Sequence, residues 1–193
     1  MKIRLVCLTL LFPLLAGVSL ASNEGAETRL KSSVDQVVTT AKQAKDRAAL
    51  IAKVKPVLEN ILDFQIMTRR AVGPGWREFN PAQQKEATGL FTTLILRTYT
   101  AKFTPGEYPD VIYKTSSSPA PGRMEIPTTA EYKGSRYDVI YRMEDKGGWL
   151  ITDVVIEGVS LVANYRSQFD AQFKQGGVDA VLNALHRSVD ESK

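Results

Sequence analysis

A strand that leads directly into a helix is the feature that most constrains the fold of this chain. Residues 149–156 are dense in aromatic and β-branched side chains and are bounded by Gly148 and Gly158, which is typical of a strand covered on both faces. Ser160 then stands where an N-cap oxygen is needed, and apolar residues follow it at helical spacing. The segment predicts a buried strand followed at once by an amphipathic helix.

Helical periodicity also dominates the first third of the chain. Apolar residues at helical spacing predict a helix over 26–44 and a second, wider stripe that begins after Asp46. Pro56 lies within the second stripe and should kink or split that helix. A short helix from Asp63 to Arg70 follows, and we expect the turn at 73–75 to end it.

The next helix has the clearest start in the chain. Asn80 supplies a capping oxygen, Pro81 suits the first helical position because its missing amide is not needed there, and Gln83 can return a hydrogen bond to the cap. A broad apolar face follows, and we expect Pro105 and Gly106 to stop the helix.

Alternating apolar and polar residues predict four strands after that helix, at 111–114, 124–132, 137–143 and 149–156. The Ser-Pro-rich segment at 116–122 is interpreted as a loop. Short turns join the later strands, which indicates an antiparallel meander, and Gly176-Gly177 should divide the C-terminal region into two helices. Helices, a sheet and helices again predict an α+β fold with the helices on one face of a four-stranded antiparallel sheet.

The N-terminus is typical of an export signal. Two basic residues precede an apolar run from Leu5 to Leu20, and Ser19 and Ala21 are small, as a signal peptidase requires. We expect a cleaved signal peptide over 1–21 and a single domain over 22–193. An uncleaved anchor is the alternative, because the run is near the lower limit for a spanning helix.

Two residue types are almost missing from the predicted domain. The single cysteine, Cys7, lies in the predicted signal, and His186 is the single histidine. Disulfides, a lipidated cysteine, a His/Cys metal site and a Cys-His or Ser-His nucleophile pair are therefore not expected. The turn at 73–75 also lacks the spacing and the lysine of a nucleotide-binding loop.

Asp153 is the one candidate for acid-base chemistry. It stands in a strand of apolar residues, where a carboxyl group can have a raised pKa and act as a general base. The alternative is a structural ion pair with Arg142 or Arg166.

Charge is nearly balanced over the predicted domain but unevenly distributed. Without Lys2 and Arg4 there are 23 basic and 21 acidic residues, a net charge of +2, which does not indicate a nucleic-acid binder. Residues 29–77 nevertheless carry ten basic and four acidic residues. This basic run favours either a surface for anionic lipid headgroups or an acidic partner, or simply solvated helix faces.

Two sequence blocks resemble a known family. The first has a Trp, an Asp four residues later, then EGVSLV and NYRSQF, at Trp149, Asp153, 157–162 and 164–169. The second, DFQIMTRRAVGPGWREFNPAQQ, occupies Asp63 to Gln84, and Tyr99 falls where the family's next helix carries a tyrosine. Over roughly 30–185 the chain resembles the MlaC family of periplasmic phospholipid carriers, also called toluene-tolerance proteins.

The resemblance implies a curved four-stranded sheet packed against a helical bundle, related to the nuclear-transport-factor-like cone. It also implies a monomeric periplasmic carrier, without a cofactor and with phospholipid as cargo, that shuttles between an outer-membrane lipoprotein complex and an inner-membrane ABC transporter complex. Three alternatives remain open at this point: a carrier of another lipid such as a hopanoid, a cone-fold enzyme that uses Asp153, and a protein-binding adaptor with a filled core.

A carrier needs a hollow interior with apolar walls, and we predict its wall residues from the apolar faces of the elements and from the two blocks. The blocks and the family's helix tyrosine supply Trp76, Tyr99, Tyr165 and Phe169. The residues chosen by face alone are Val72, Phe91, Leu94, Met124, Ile126, Tyr137, Val139, Tyr141, Ile151, Val155 and Val162. Tyrosines on a concave sheet face would line the cavity and offer hydroxyl groups at its mouth.

Overall fold

The computed structural model describes residues 21–192, with side chains from Gly25 onwards. The predicted signal peptide, except its last residue, Ala21, falls outside the described residues. Within residues 21–192 no helix is both long enough and apolar enough to cross a bilayer.

Five α-helices and six strands make up the described chain, so the α+β prediction is confirmed. In chain order they are α1 (Ala21–Ala41), α2 (Arg47–Ile61), α3 (Phe64–Val72), a 3-10 helix (Gly73–Glu78), α4 (Pro81–Thr100), β1 (Asp110–Tyr113), β2 (Ser117–Ala120), β3 (Arg123–Tyr132), β4 (Ser135–Asp145), β5 (Trp149–Ile156), β6 (Val159–Ser160) and α5 (Leu161–Glu191).

The helix starts lie where the sequence predicts them. Asp46, Asp63, Asn80 and Ser160 each accept a hydrogen bond from the backbone N–H three residues later. At Asn80 the bond is reciprocal, because the Gln83 side chain accepts from the Asn80 amide at 3.0 Å. Each cap satisfies an amide that would otherwise have no partner in the first turn.

Two predictions concern interruptions within a helix, and they have different outcomes. Helix α2 continues through Pro56 instead of splitting. Pro56 and Ala52, whose carbonyl loses its helical partner, are both exposed, so water can satisfy that carbonyl. The stretch Leu161–Glu191 is interrupted where expected, since Gly176 and Gly177 have non-helical backbone angles and Gly177 has φ 62°.

The sheet has six strands where the sequence predicted four. Its order is β1-β3-β4-β5-β6, all antiparallel, and β2 pairs with the other end of β3. The predicted loop at 116–122 therefore contains an edge strand, held by the Ser118 hydroxyl, which donates to the carbonyls of Ala120 and Arg123 at 3.1 Å. No apolar alternation marks β2 or the two-residue β6, so periodicity could not reveal them.

The two faces of the sheet differ in what covers them. In register, Ile126, Tyr141 and Val154 lie side by side on the face that packs against α1 and α2. A register shift between Arg142 and Met143 curves the sheet around these helices. The opposite face carries ion pairs such as Lys114–Asp138 at 2.8 Å.

The two family-like blocks meet beside α3. Arg166 of α5 lies over Gly73, and its Nη1 donates to the Arg70 carbonyl at 3.2 Å, which satisfies the end of α3. Gly73 has φ 77°, and a Cβ there would collide with the Arg166 guanidinium. A Cβ on Gly75 would lie 2.6 Å from the Phe173 ring. Both glycines are required by close packing of α5.

Candidate functional site

A cavity of about 280 Å³ lies between the helices and the concave face of the sheet. Helices α1 and α2 form one wall, the second half of α4 and the segment after it form another, and β1, β4 and β5 form the floor. The apolar side chains of the first wall are Leu30, Val34, Val37, Val38, Ala41, Leu50, Val54, Leu58 and Ile61.

The α1 wall follows directly from its sequence pattern. Leu30, Val34, Val37, Val38 and Ala41 recur at helical spacing and therefore lie on one face of α1. Leu30 and Ala41 are buried against neighbouring side chains, whereas the three valines between them are only half-buried. The middle of this stripe thus borders open space instead of closing onto the sheet.

Polar groups in the walls are mostly paired within the protein. The Ser33 hydroxyl donates to the Arg29 carbonyl at 2.9 Å, and the Thr100 hydroxyl donates to the Leu96 carbonyl at 2.6 Å. The Tyr108 hydroxyl accepts from the Gly106 amide at 3.0 Å. The surface presented to a ligand is therefore almost entirely apolar, which suits a hydrocarbon ligand and not a charged one.

Two tyrosines of the cavity have perturbed pKa values. Burial raises the pKa of Tyr141, on the floor, to about 12. Burial also raises the pKa of Tyr99 on α4, with smaller contributions from Tyr165 and Asp153. Both phenols are neutral at physiological pH, so they add hydroxyl groups to the walls but no charge.

Three of the fifteen predicted wall residues line this cavity: Tyr99, Tyr141 and Ile151. Lipid contact by these three stays a prediction. Tyr137 lies on the same sheet face as Tyr141, four positions earlier in β4, and is 42% exposed.

Seven predicted wall residues lie instead in a packed cluster among α3, α4 and α5: Val72, Trp76, Phe91, Leu94, Val162, Tyr165 and Phe169. Aromatic contacts fill this cluster. The rings of Phe91 and Tyr165 meet edge to face with centroids 5.1 Å apart, and Trp76 stacks on Phe79 at 5.3 Å. These side chains stabilise the helical bundle and do not border the cavity.

The other four predicted wall residues are buried in or on the sheet. Met124 and Ile126 pack in the cluster beneath α1 and α2. Val139 and Val155 are 8% and 6% exposed. In the strand pairing, Val155 lies opposite Ile140, on the face away from Tyr141, so it cannot point toward the cavity.

Sequence reasoning missed the walls that α1, α2 and the segment after α4 provide. The apolar stripes of both helices were predicted, but none of their residues was assigned to a wall. Phe103, Tyr108 and Pro109 also line the cavity, and they stand in an irregular segment without periodicity. The available signal was an excess of apolar helix faces over what one sheet can cover.

Asp153 forms a structural ion pair with Arg142, which was the predicted alternative to a role in catalysis. Its carboxylate is 3.1 Å from Arg142 Nη1, accepts from the Ser160 hydroxyl at 2.7 Å and accepts from the Val162 amide at 3.1 Å. It thus joins β4 and β5 to the start of α5, and it does not line the cavity. Among residues 25–192 no group of three or more His, Cys, Asp or Glu side chains is placed to hold a metal ion.

Comparison with known proteins agrees with this geometry. No curated protein matches the chain at a significant level. A solved structure, that of the phospholipid-binding protein from Ralstonia solanacearum in complex with a phospholipid, is similar with a TM-score of 0.78 and 27% identity. The match covers 86% of this chain and 98% of that one. The family model described as MlaC protein matches residues 31–187, and the chain therefore belongs to the MlaC family.

Proposed function

We propose that this protein is a periplasmic carrier that shields the acyl chains of a phospholipid in the cavity and shuttles the lipid between the outer and inner membranes. The observation that carries the proposal is the apolar cavity between α1, α2, α4 and the concave face of the sheet. Family membership and the phospholipid bound by the similar Ralstonia protein support binding and transport rather than catalysis.

The cavity has the chemistry that acyl chains require. Moving a methylene group out of water gains about 0.8 kcal/mol, so two tails of about sixteen carbons gain on the order of 25 kcal/mol relative to water. A phosphate group would incur a large desolvation cost among these walls, because their polar side chains are mostly paired with the backbone. The headgroup therefore stays at the mouth, and broad headgroup tolerance follows.

The size of the cavity sets a condition on loading. A cavity of ~150 Å³ holds one benzene molecule, so by that standard a cavity of twice the size encloses roughly a dozen carbon atoms. The 280 Å³ observed is less than two full tails need. A diacyl lipid can enter only if the walls separate or if its tails extend through the mouth.

The carrier alone does not determine the direction of transport. The free energy that acyl chains lose on leaving a membrane is about as large as the free energy they gain in the cavity. The net affinity of the carrier, relative to the membrane, is therefore a small difference between two large free energies. We propose that direction comes from partners, an outer-membrane lipoprotein complex and an inner-membrane ABC transporter complex, which a monomeric carrier visits in turn. Export through a signal peptide over residues 1–21 would place it between them.

Native mass spectrometry of the secreted protein purified from its host tests the proposal. We expect an added mass equal to one phospholipid. A mass increment of a polycyclic lipid such as a hopanoid would change the cargo, and a ligand-free mass from cells with intact membranes would refute the carrier function.

A further inference from the structure

The structure shows which basic side chains of the run at residues 29–77 have partners and which do not. Lys55 pairs with Glu59, Arg70 with Glu144 at 2.7 Å, and Arg29 donates to the Asn60 carbonyl at 2.9 Å. Lys42 and Lys45, in the turn between α1 and α2, are exposed and form no ion pair within residues 25–192.

The turn presents these lysines from a well-defined backbone. The Lys42 amide donates to the Val38 carbonyl at 3.0 Å, and the Ala44 amide donates to the Ala41 carbonyl at 2.9 Å. Asp46 is committed to the cap of α2 through the Ala49 amide at 2.8 Å. The lysine side chains therefore extend from a backbone that is already ordered before any partner binds.

Two further cations stand at the same end of the molecule. Arg47 Nη2 donates to the Ala101 carbonyl at the end of α4, at 3.4 Å, and Lys102 follows directly in the chain. We define the basic turn as Lys42, Lys45, Arg47 and Lys102. With Asp46 as the one acidic residue among them, its net charge is 4 − 1 = +3.

The basic turn adjoins the cavity. Ala41 and Leu50, on either side of the turn, both line the cavity, and Tyr108 packs against the same small cluster. Phe103, one residue after Lys102, lines the cavity from the α4 side. A phosphate bound at the basic turn would therefore lie next to the apolar walls.

We propose that the basic turn is a docking surface for an anionic lipid membrane. All four cations of the basic turn are exposed. Exposed cations match a layer of lipid phosphate groups, because each basic side chain near an anionic membrane surface adds affinity. A protein interface would instead centre on buried aromatic anchors. The large, well-exposed apolar side chains of the described residues are Ile112, Tyr137 and Val159, and all three lie on strands and none belongs to the basic turn. The proposal rests on the carrier function, because docking would bring the cavity to its cargo.

Vesicle flotation of the secreted protein tests the docking surface. The probes are vesicles of phosphatidylcholine with 30% phosphatidylglycerol and vesicles of phosphatidylcholine alone. Each basic residue near an anionic surface contributes about five-fold in affinity, so the double variant K42Q/K45Q should bind anionic vesicles on the order of 25-fold more weakly. Binding should also weaken as salt rises, since the Debye length falls from ~30 Å at 0.01 M to ~10 Å at 0.1 M.

The matched control is R77Q/K85Q, which removes the same charge near the opposite end of α4. Arg77 and Lys85 are exposed and likewise form no ion pair within residues 25–192. The control should bind as the unchanged protein does. Equal weakening of both double variants, or full binding by K42Q/K45Q, would overturn the proposal. Failure of the unchanged protein to bind anionic vesicles at low salt would also overturn it and would favour an acidic protein partner.

Native mass spectrometry of the same proteins separates this proposal from the carrier function. K42Q/K45Q should retain its bound lipid, because neither lysine lines the cavity. A lipid-loaded protein that ignores anionic vesicles would refute docking alone, whereas a protein that binds vesicles but never carries lipid would refute the carrier function alone.

Discussion

Filling the cavity should abolish lipid carriage without unfolding the protein. Val154 is the best position for this test, because it lines the floor, lies opposite Tyr141 in the strand register and is only half-buried. The change Val154→Trp adds about seven non-hydrogen atoms, and these would displace roughly five methylene groups of a tail. At ~0.8 kcal/mol per methylene the lost binding free energy is about 4 kcal/mol, nearly three orders of magnitude in affinity.

The assay is the fraction of protein that carries lipid in native mass spectrometry, measured together with the midpoint of thermal unfolding. A larger side chain forced into a packed core costs ~1–3 kcal/mol, but the open space beside Val154 should keep the loss of stability below that range. Ile112→Trp is the matched control, since Ile112 is 46% exposed on the opposite face of the sheet. The control should carry lipid normally.

A Val154→Trp protein that folds and carries as much lipid as the unchanged protein would refute the reasoning, because the cargo would then occupy another site. If this variant does not fold, Val38→Trp fills the same space from the half-buried middle of the α1 wall. Full lipid loading of that second variant would have the same consequence.

Three other predictions concern stability and titration. Gly75→Ala should lower the free energy of unfolding by about 1–3 kcal/mol in chemical denaturation, because its Cβ would lie 2.6 Å from the Phe173 ring; an unchanged midpoint would contradict the packing described. Asp153→Asn should cost about 1–3 kcal/mol by removing the ion pair with the half-exposed Arg142, yet the folded protein should still carry lipid, and loss of cargo from a stable variant would give Asp153 a direct role. Because burial raises the pKa of Tyr141 to about 12, its contribution to the free energy of unfolding is complete below pH ~10 and is lost as pH rises toward ~12. Tyr141→Phe should therefore flatten the fall in unfolding free energy over that range. An unaltered slope would show that Tyr141 is not shielded.

Much of the fold could be predicted from local sequence because its signals are local. An N-cap such as Asp63 or Asn80 acts within three residues, and its hydrogen bond does not depend on distant packing. The strand at 149–156 and the helix after Ser160 also agree with the structure. The weak elements β2 and β6 were missed because pairing with β3 and β5 creates them, not their own residues.

An apolar cavity could be predicted from the sequence, but most of its wall residues could not. Large aromatic residues in the two family-like blocks, such as Trp76 and Phe169, were expected in its walls, but they fill the space among α3, α4 and α5. Tyr99, Tyr141 and Ile151 do line it, and so do half-buried valines of α1, whose helical stripe was predicted but not as a wall. Bulk alone therefore did not distinguish a wall from a core.

The amino-acid sequence by itself determined where the helices begin, which face of each is apolar and that the walls would carry no charge. Which apolar faces touch and which leave a gap depended on the curvature of the sheet and on the spacing of α1 and α2 above it. The physical reason is that burial of an apolar stripe is favourable against any apolar surface, so periodicity marks the stripe but not its partner. Only the tertiary structure placed Val37 and Val154 on open space and Phe91 in a packed cluster.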